Sequence, residues 1–221
     1  MAKTHISEVF RIPPSRMRVI HNGIDTEIFS PSDAVKRSED TILMVMSRDT
    51  YVKGLRFLLE ALAELRKKYD VKLAVVGRTL GDGLTEKLMD KLGVTAQVRF
   101  YDQIETDELV RLYRTAAVVA VPSTYEGFGL PAAEAMACGV HVVSTTAGAL
   151  PEVVGDAGIL IPPADSAAIT QALACLLDNP DKRREYSQAG RKRIVENFNW
   201  KLAAGRTVEV YKEAMAQANR L

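Results

Sequence analysis

Two cations, Arg48 and Lys53, stand in the segment Ser47-Arg48-Asp49-Thr50-Tyr51-Val52-Lys53-Gly54, between a β-type apolar run and a helix-type one. Both precede a helix whose first N–H groups already carry partial positive charge, so they oppose its dipole. A local choice that runs against local physics points to function, and an anion bound between Arg48, Lys53 and the sheet edge resolves the conflict. The alternative is two surface cations in water. A second segment, Glu126-Gly127-Phe128-Gly129-Leu130-Pro131, follows an apolar run. Its two glycines let backbone approach a ligand closely, and Pro131 suits a first helical turn. The N–H groups of Gly129 and Leu130 are then placed to take a phosphate. Glu126 and Glu134 add two carboxylates, acceptor-only when ionised and therefore suited to sugar and ribose hydroxyls. The plainer account of the two acids is that they complement the helix dipole.

These residues need a frame, and the sequence specifies one. Short β-type runs at Ile42–Met46, Leu73–Val76, Val98–Tyr101, Ala116–Val121, Val140–Val143 and Ile159–Ile161 alternate with helix-period segments. The run Ala116–Val121 has no polar alternation, which predicts a strand covered on both faces. Leu55, Leu58, Leu59, Leu62 and Leu65 form one apolar helical stripe, and Ile104–Tyr113 and Leu130–Ala137 read as further helices. The expected fold class is α/β, a Rossmann-like parallel sheet with helices on both faces. Ala168–Leu177, Asp181–Phe198 and Trp200–Ala218 predict a helical C-terminal segment. The first 25 residues read as a short helix, a strand at Met17–Ile20 and an Asn22-Gly23 turn. The domain reading is a lead-in and linker over 1–40, the Rossmann-like domain over 41–198 and a C-terminal helix over 199–221. In such a sheet ligands bind beyond the carboxyl ends of the strands, where both segments of the opening paragraph fall.

Composition narrows the function. The 221 residues are 47% hydrophobic and carry a net charge of +1, which gives no footprint for nucleic acid. The basic runs Lys182-Arg183-Arg184 and Arg191-Lys192-Arg193 read as a solvated helix face. Cys138 and Cys175 fit neither a disulfide framework nor a metal spacing and are expected to be buried apolar residues in a reducing compartment. No apolar run reaches the ~18 residues of a membrane helix, and Met1–Phe10 lacks a signal-peptide pattern. The expectation is a cytoplasmic protein, with contact at a membrane surface left open.

The run Glu126-Gly127-Phe128-Gly129-Leu130-Pro131-Ala132-Ala133-Glu134-Ala135-Met136-Ala137-Cys138-Gly139-Val140 closely resembles the paired-glutamate segment of retaining GT-B glycosyltransferases of family 4. Arg48 and Lys53 match that family's phosphate-binding pair in spacing. His21-Asn22-Gly23-Ile24-Asp25 with Phe29, Val75-Val76-Gly77, Gly148 with Leu150-Pro151-Glu152-Val153-Val154, Gly158–Pro163 and Phe198-Asn199-Trp200 are similar too. The resemblance implies that Arg48, Lys53 and the amides of Gly129 and Leu130 hold a diphosphate. It assigns Glu134 to the ribose and Glu126 to the transferring sugar, with donor contact continuing along Gly127 and Phe128. It puts Gln103 and Ile104 beside the base, with Arg78 near it. It implies no cofactor and no metal, Arg48 and Lys53 neutralising the leaving diphosphate instead. The partners it implies are a nucleotide-sugar donor, an unidentified acceptor and an N-terminal domain. This chain reads as the donor half, and its apolar last helix predicts self-association or a mobile C-terminus in isolation.

Departures from the pattern are Ser47 in place of the usual Gly, His141 in place of Pro, and Ala147-Gly148 in place of a Gly pair. His141 is expected to be a core or edge residue, and none of the three histidines a general base. A non-catalytic module binding the same nucleotide sugar is the rival reading. A dinucleotide-binding domain fits less well, since the first βα turn lacks Gly-x-Gly-x-x-Gly. An epimerase of the same fold accounts less well for Glu126 and Glu134.

Overall fold

The computed structural model describes the backbone of residues 2–48 and 51–218 and the side chains of 6–47 and 51–217. Six strands form one parallel sheet: β1 (Thr41–Arg48), β2 (Lys72–Arg78), β3 (Val98–Tyr101), β4 (Val118–Val121), β5 (Val142–Thr145) and β6 (Ile159–Ile161). Their order across the sheet is β3-β2-β1-β4-β5-β6, and each neighbouring pair runs parallel. The chain thus builds outward from β1 to one edge, returns, and builds from β4 to the other.

Alternation along the central strands explains why they are apolar throughout. Ile42, Met44 and Met46 of β1, with Val118 and Ala120 of β4, face one core. Leu43, Val119 and Val121 face the other. Successive side chains of a strand point to opposite faces, so a strand buried on both faces has no position for a polar residue. After the short helix α1 (Ala2–Phe10) of the lead-in, helices α2 (Leu55–Leu65), α3 (Leu84–Leu92) and α7 (Ser166–Leu177) cover the first face. The second is covered by α4 (Thr106–Thr115), α5 (Leu130–Ala137), α6 (Leu150–Val154) and α8 (Pro180–Asn197). Leu55, Leu58, Leu59, Leu62 and Leu65 are all buried, which is the predicted stripe. Side-chain caps start the last two of these helices. Asp165 accepts from the Ala168 N–H at 2.9 Å and Asn179 from the Lys182 N–H at 3.2 Å, meeting donors that helix N-termini leave unpaired.

Three readings of the lead-in change. Met17–Ile20 is not a strand and pairs with nothing as one. β-type residues form a strand only where a sheet edge is free to accept them. Asn22-Gly23 is not a tight turn. Gly23 is a close approach, and a Cβ there would lie 2.4 Å from the Trp200 Cα. Beside it, Ile24 forms a single parallel bridge with Asn199. Nor is the polar stretch after Thr26 loose. Arg191 donates to the carbonyls of Phe29, Ala137 and Thr26 at 2.9, 2.9 and 3.1 Å. Arg114 donates to the Ser30 carbonyl at 2.7 Å and Arg37 to that of Gly139 at 3.0 Å.

The basic runs are accordingly only in part a solvated face. Arg184 is 76% exposed, but the Arg183 side chain is 13% exposed, and Arg193 donates to the carbonyls of Val153 and Glu152. Cys138 is buried as expected, whereas Cys175 is half-buried and accepts a hydrogen bond from Lys182 Nζ at 3.5 Å. The last helix, α9 (Trp200–Ala218), leaves Trp200, Val208, Tyr211 and Met215 exposed. Among the described residues no helix is long and apolar enough to cross a membrane.

Charge-assisted hydrogen bonds are each worth about 1.5–3 kcal/mol, and stranded carbonyls add to the loss. Arg191→Ala is expected to destabilise the chain by about 3 kcal/mol or more, read as a shifted denaturant midpoint. Arg184→Ala, which removes only an exposed pair with Asp181, is expected to change stability by less than about 0.5 kcal/mol.

Candidate functional site

Where the strand order reverses, between β1 and β4, the chain leads to helices on opposite faces of the sheet, the topology that places a crevice at the carboxyl edge. Lys53 enters it from the loop after β1, Glu126 from the loop after β4. Lys53 Nζ donates to Glu126 Oε2 at 2.9 Å, with the side chains 26% and 14% exposed. The Ser123 hydroxyl donates to the same oxygen at 3.2 Å.

The backbone around this pair is drawn tight. Gly54 has φ +74°, and a Cβ on it would lie 2.0 Å from the Pro122 carbonyl oxygen. The Thr124 N–H donates to the Val52 carbonyl at 2.8 Å. The loop after β5 closes the third side. The Ala149 N–H donates to the Glu126 carbonyl at 2.9 Å, and the Thr145 hydroxyl to that of Ser123 at 2.6 Å. Gly148 has φ +59°, and a Cβ there would lie 2.0 Å from the Glu126 carbonyl oxygen. That contact leaves the second position of Ala147-Gly148 open only to glycine, while the Ala147 side chain is buried.

Glu126 to Leu130 form the rim. Gly127 and Leu130 are exposed. Gly129 is the N-cap of α5 at φ +97°, with no side-chain cap, so the helix presents its N-terminal amide end at the crevice. Phe128 packs against Phe198 with centroids 5.9 Å apart, and His21 lies edge-on to Phe198 at 5.5 Å. His21 Nε2 also pairs with Glu152 Oε2 at 3.1 Å. His141 is buried, with 1% exposure, at the other end of the sheet, as expected of a core residue.

Glu134 turns inward from α5. Its Oε2 accepts a hydrogen bond at 2.8 Å from the hydroxyl of fully buried Tyr113. Burial raises the Glu134 carboxyl above the usual carboxylate range, and the Tyr113 hydrogen bond opposes that rise. Burial first, and then the Glu134 charge, pushes the Tyr113 phenol well above its usual value. An apolar wall on one side and a hydroxyl donor on the other leave Glu134 a carboxylate with little reserve of solvent.

The remaining predicted residues lie toward β2 and β3. Arg48 ends β1 in register with Arg78 of β2; its side chain, and Asp49 and Thr50, lie outside the described residues. Arg78 Nε is 3.8 Å from Asp102 Oδ1, both half-exposed. Gln103 has φ +52°, a left-handed turn after β3, and Ile104 packs onto the core. Lys53, Glu126 and the amide end of α5 are thus brought together. Arg78, Gln103 and Ile104 form a separate group at the ends of β2 and β3. Ser123, Tyr113 and the His21–Glu152 pair were not singled out as site residues. Ser123 carries a legible signal, a hydroxyl three residues before Glu126 and just past an apolar strand. Tyr113 and Glu152 meet their partners only through the fold.

These features define a class, a parallel α/β domain with a cationic and carboxylate-lined crevice at its topological switch point. Residues 27–193 match the family described as Glycosyl transferases group 1, and the chain belongs to that family. It is 41% identical over 211 residues to an MMP alpha-(1->4)-mannosyltransferase of Mycolicibacterium hassiacum, covering 94% of this chain and 51% of that protein. It is 33% identical to a D-inositol 3-phosphate glycosyltransferase of Segniliparus rotundus, covering 96% and 50%. The chain spans about half the length of these curated relatives. Among solved structures it resembles a sucrose-phosphate synthase from Thermosynechococcus elongatus, with a TM-score of 0.85 and 27% identity over 98% of this chain and 57% of that one. The fold also matches Anabaena HepE in complex with UDP, with a TM-score of 0.86 at 21% identity over 96% of this chain and 61% of that one. The domain is therefore one Rossmann-like half of a GT-B fold.

Two outcomes test the site's construction. Gly148→Ala is expected to lower stability by about 2 kcal/mol or more, since it adds a Cβ both to a left-handed residue and against a backbone oxygen. The denaturant midpoint reads the loss. Glu134 has a folded-state pKa above its unfolded one, so its protonation favours the fold. That contribution is full below the unfolded value and is lost as pH rises through the folded one. Glu134→Gln is therefore expected to be more stable than the native chain near pH 7 and to match it below about pH 4, compared by urea midpoints.

Proposed function

We propose that this chain is the donor-binding half of a retaining glycosyltransferase that moves a hexosyl residue from a nucleotide-diphosphate sugar to an acceptor hydroxyl. The observation that carries the reading is the Lys53–Glu126 pair, held in the crevice by three loops. Two relatives, a mannosyltransferase and an inositol-phosphate glycosyltransferase, support sugar transfer. The HepE complex with UDP-glucose supports a nucleotide-sugar donor on this fold.

Each residue then has a task. The diphosphate lies between Lys53, Arg48 and the amide end of α5 at Gly129 and Leu130. Lys53 Nζ donates to a phosphoryl oxygen, and its positive charge becomes more valuable as the anomeric bond breaks and negative charge collects on the leaving group. Glu126, no longer the sole partner of Lys53, accepts hydrogen bonds from hydroxyls of the transferring sugar. Ser123 keeps the second hydrogen bond that fixes the carboxylate's orientation. Glu134 receives the ribose, and the strand ends at Arg78, Gln103 and Ile104 border the base. The acceptor hydroxyl attacks from the face the diphosphate leaves, its proton passing to an oxygen of the departing diphosphate, which gives retention, with the acceptor brought by an N-terminal domain. No divalent metal is needed in this scheme, because cationic side chains take its role. The work is done in the cytoplasm, in solution or at the membrane periphery.

A module that holds the same donor without turnover shares every residue of this site and differs only in lacking an acceptor domain. Calorimetric titration with UDP-, GDP- and ADP-sugars, without and with Mg²⁺, tests the donor reading. Metal-independent binding of one nucleotide class is expected. Lys53→Ala is expected to weaken it by about tenfold to a hundredfold, the value of one charge-assisted contact, with little change in stability. Unchanged affinity in the Lys53→Ala and Arg48→Ala double variant would place the anion site elsewhere.

A further inference from the structure

At the opposite end of the sheet from the crevice lies a second basic cavity, of about 220 Å³. It sits at the amino ends of β1 and β5, lined by Arg37, Ser38, His141, Arg183, Arg184 and Ser187, with Glu39 at its mouth. Two features there run against local physics. Arg183 and Arg184 are the fourth and fifth residues of α8, near the end where cations oppose the helix dipole. His141 is 1% exposed, its ring nitrogens have no partner of good hydrogen-bond geometry among the described residues, and the Ala117 backbone beside the ring supplies only a weak one. A buried polar group left so is costly.

We infer that this cavity is a binding site for a phosphate group, held by the guanidiniums of Arg37, Arg183 and Arg184 with the His141 imidazole donating one N–H. Burial, then the charges of Arg37 and Arg183, depress His141 to about 3, so the ring is neutral at physiological pH and has one N–H to give. Arg37 spends Nη1 on the Gly139 carbonyl, and burial and the nearby Arg183 charge lower its pKa. Two like charges forced together gain from a shared anion. Each guanidinium has five donors in a planar fork that matches phosphate. The Ser187 hydroxyl is engaged by the Gly139 carbonyl and Ser38 by Asp40 and Thr41, so the arginines and His141 do the recognising. Two carboxylates compete. Glu39, 80% exposed, reaches Arg183 at 2.8 Å, and Asp181 pairs with Arg184. Glu39 must swing out when phosphate binds, and its exposure lets it.

The chain contains three histidines, so imidazole ¹H–¹⁵N correlations of the labelled protein report the site directly. Inorganic phosphate is titrated near pH 7 to about 10 mM, ten times a Kd of ~1 mM. The expected result is a saturable shift of the His141 resonances with those of His21 unmoved. Arg183→Gln is expected to weaken the response at least tenfold and Glu39→Gln to tighten it several-fold. Should Arg183→Gln fail to fold, Glu39→Gln and the native titration decide. Phosphatidic acid vesicles at equal phosphate identify the source. A shift with inorganic phosphate alone marks a soluble ligand, and a stronger one with vesicles marks a lipid headgroup. No shift of His141 with either, or an equal shift in Arg183→Gln, overturns the assignment.

Discussion

Backbone pressed on backbone is the constraint from which this structure follows. The loop after β4 carries Glu126, and it is wedged between the loops after β1 and β5. Gly54 lies against the Pro122 carbonyl and Gly148 against that of Glu126. At neither contact is there room for one carbon atom more. Fixed on both sides, the Glu126 carboxylate meets Lys53 and Ser123 without first being ordered by a ligand. The entropy of placing those groups is met when the chain folds rather than when the donor arrives. The fold supplies this geometry because the strand order reverses between β1 and β4, so the two loops leave the sheet in opposite directions and face one another.

The sheet was legible because two-sided burial leaves a strong mark. Val118 to Val121 have no polar position to betray a solvent face, and five leucines of α2 repeat at helical spacing. Helices α3 and α6 were harder. In α3 only Thr85 and Met89 are buried, so its apolar signal is thin, and α6 is a five-residue helix. Met17–Ile20 shows the opposite failure, β-type residues with no edge to join. In the site, Lys53 and Glu126 could be singled out from charge placed against a helix dipole and from glycine spacing. Their direct pairing could not, since the two are 73 residues apart and meet only through the parallel order of β1 and β4. The inward turn of Glu134 toward Tyr113 was equally hidden. Sequence spacing puts a carboxylate on α5, but the depth of α4 beside it decides whether that carboxylate sees water.

Charge does much of the joining at the periphery. Arg37, Arg114, Arg191 and Arg193 each reach main-chain carbonyls instead of carboxylates. Such bonds satisfy acceptors that irregular segments cannot pair among themselves. They show how a chain of net charge near zero can use some of its arginines to hold the fold, and why runs of basic residues need not signal a polyanion.

The Ile24–Asn199 bridge has a mechanical consequence. The segment entering the domain and the one leaving it run side by side there, with Gly23 pressed on Trp200 and Arg18 of the lead-in paired to Glu213 of α9. A force applied to either segment is shared with the other before it reaches the sheet. The two ends of the domain therefore act as one two-stranded strap, and the strap meets the rim of the crevice directly, through Phe198 against Phe128.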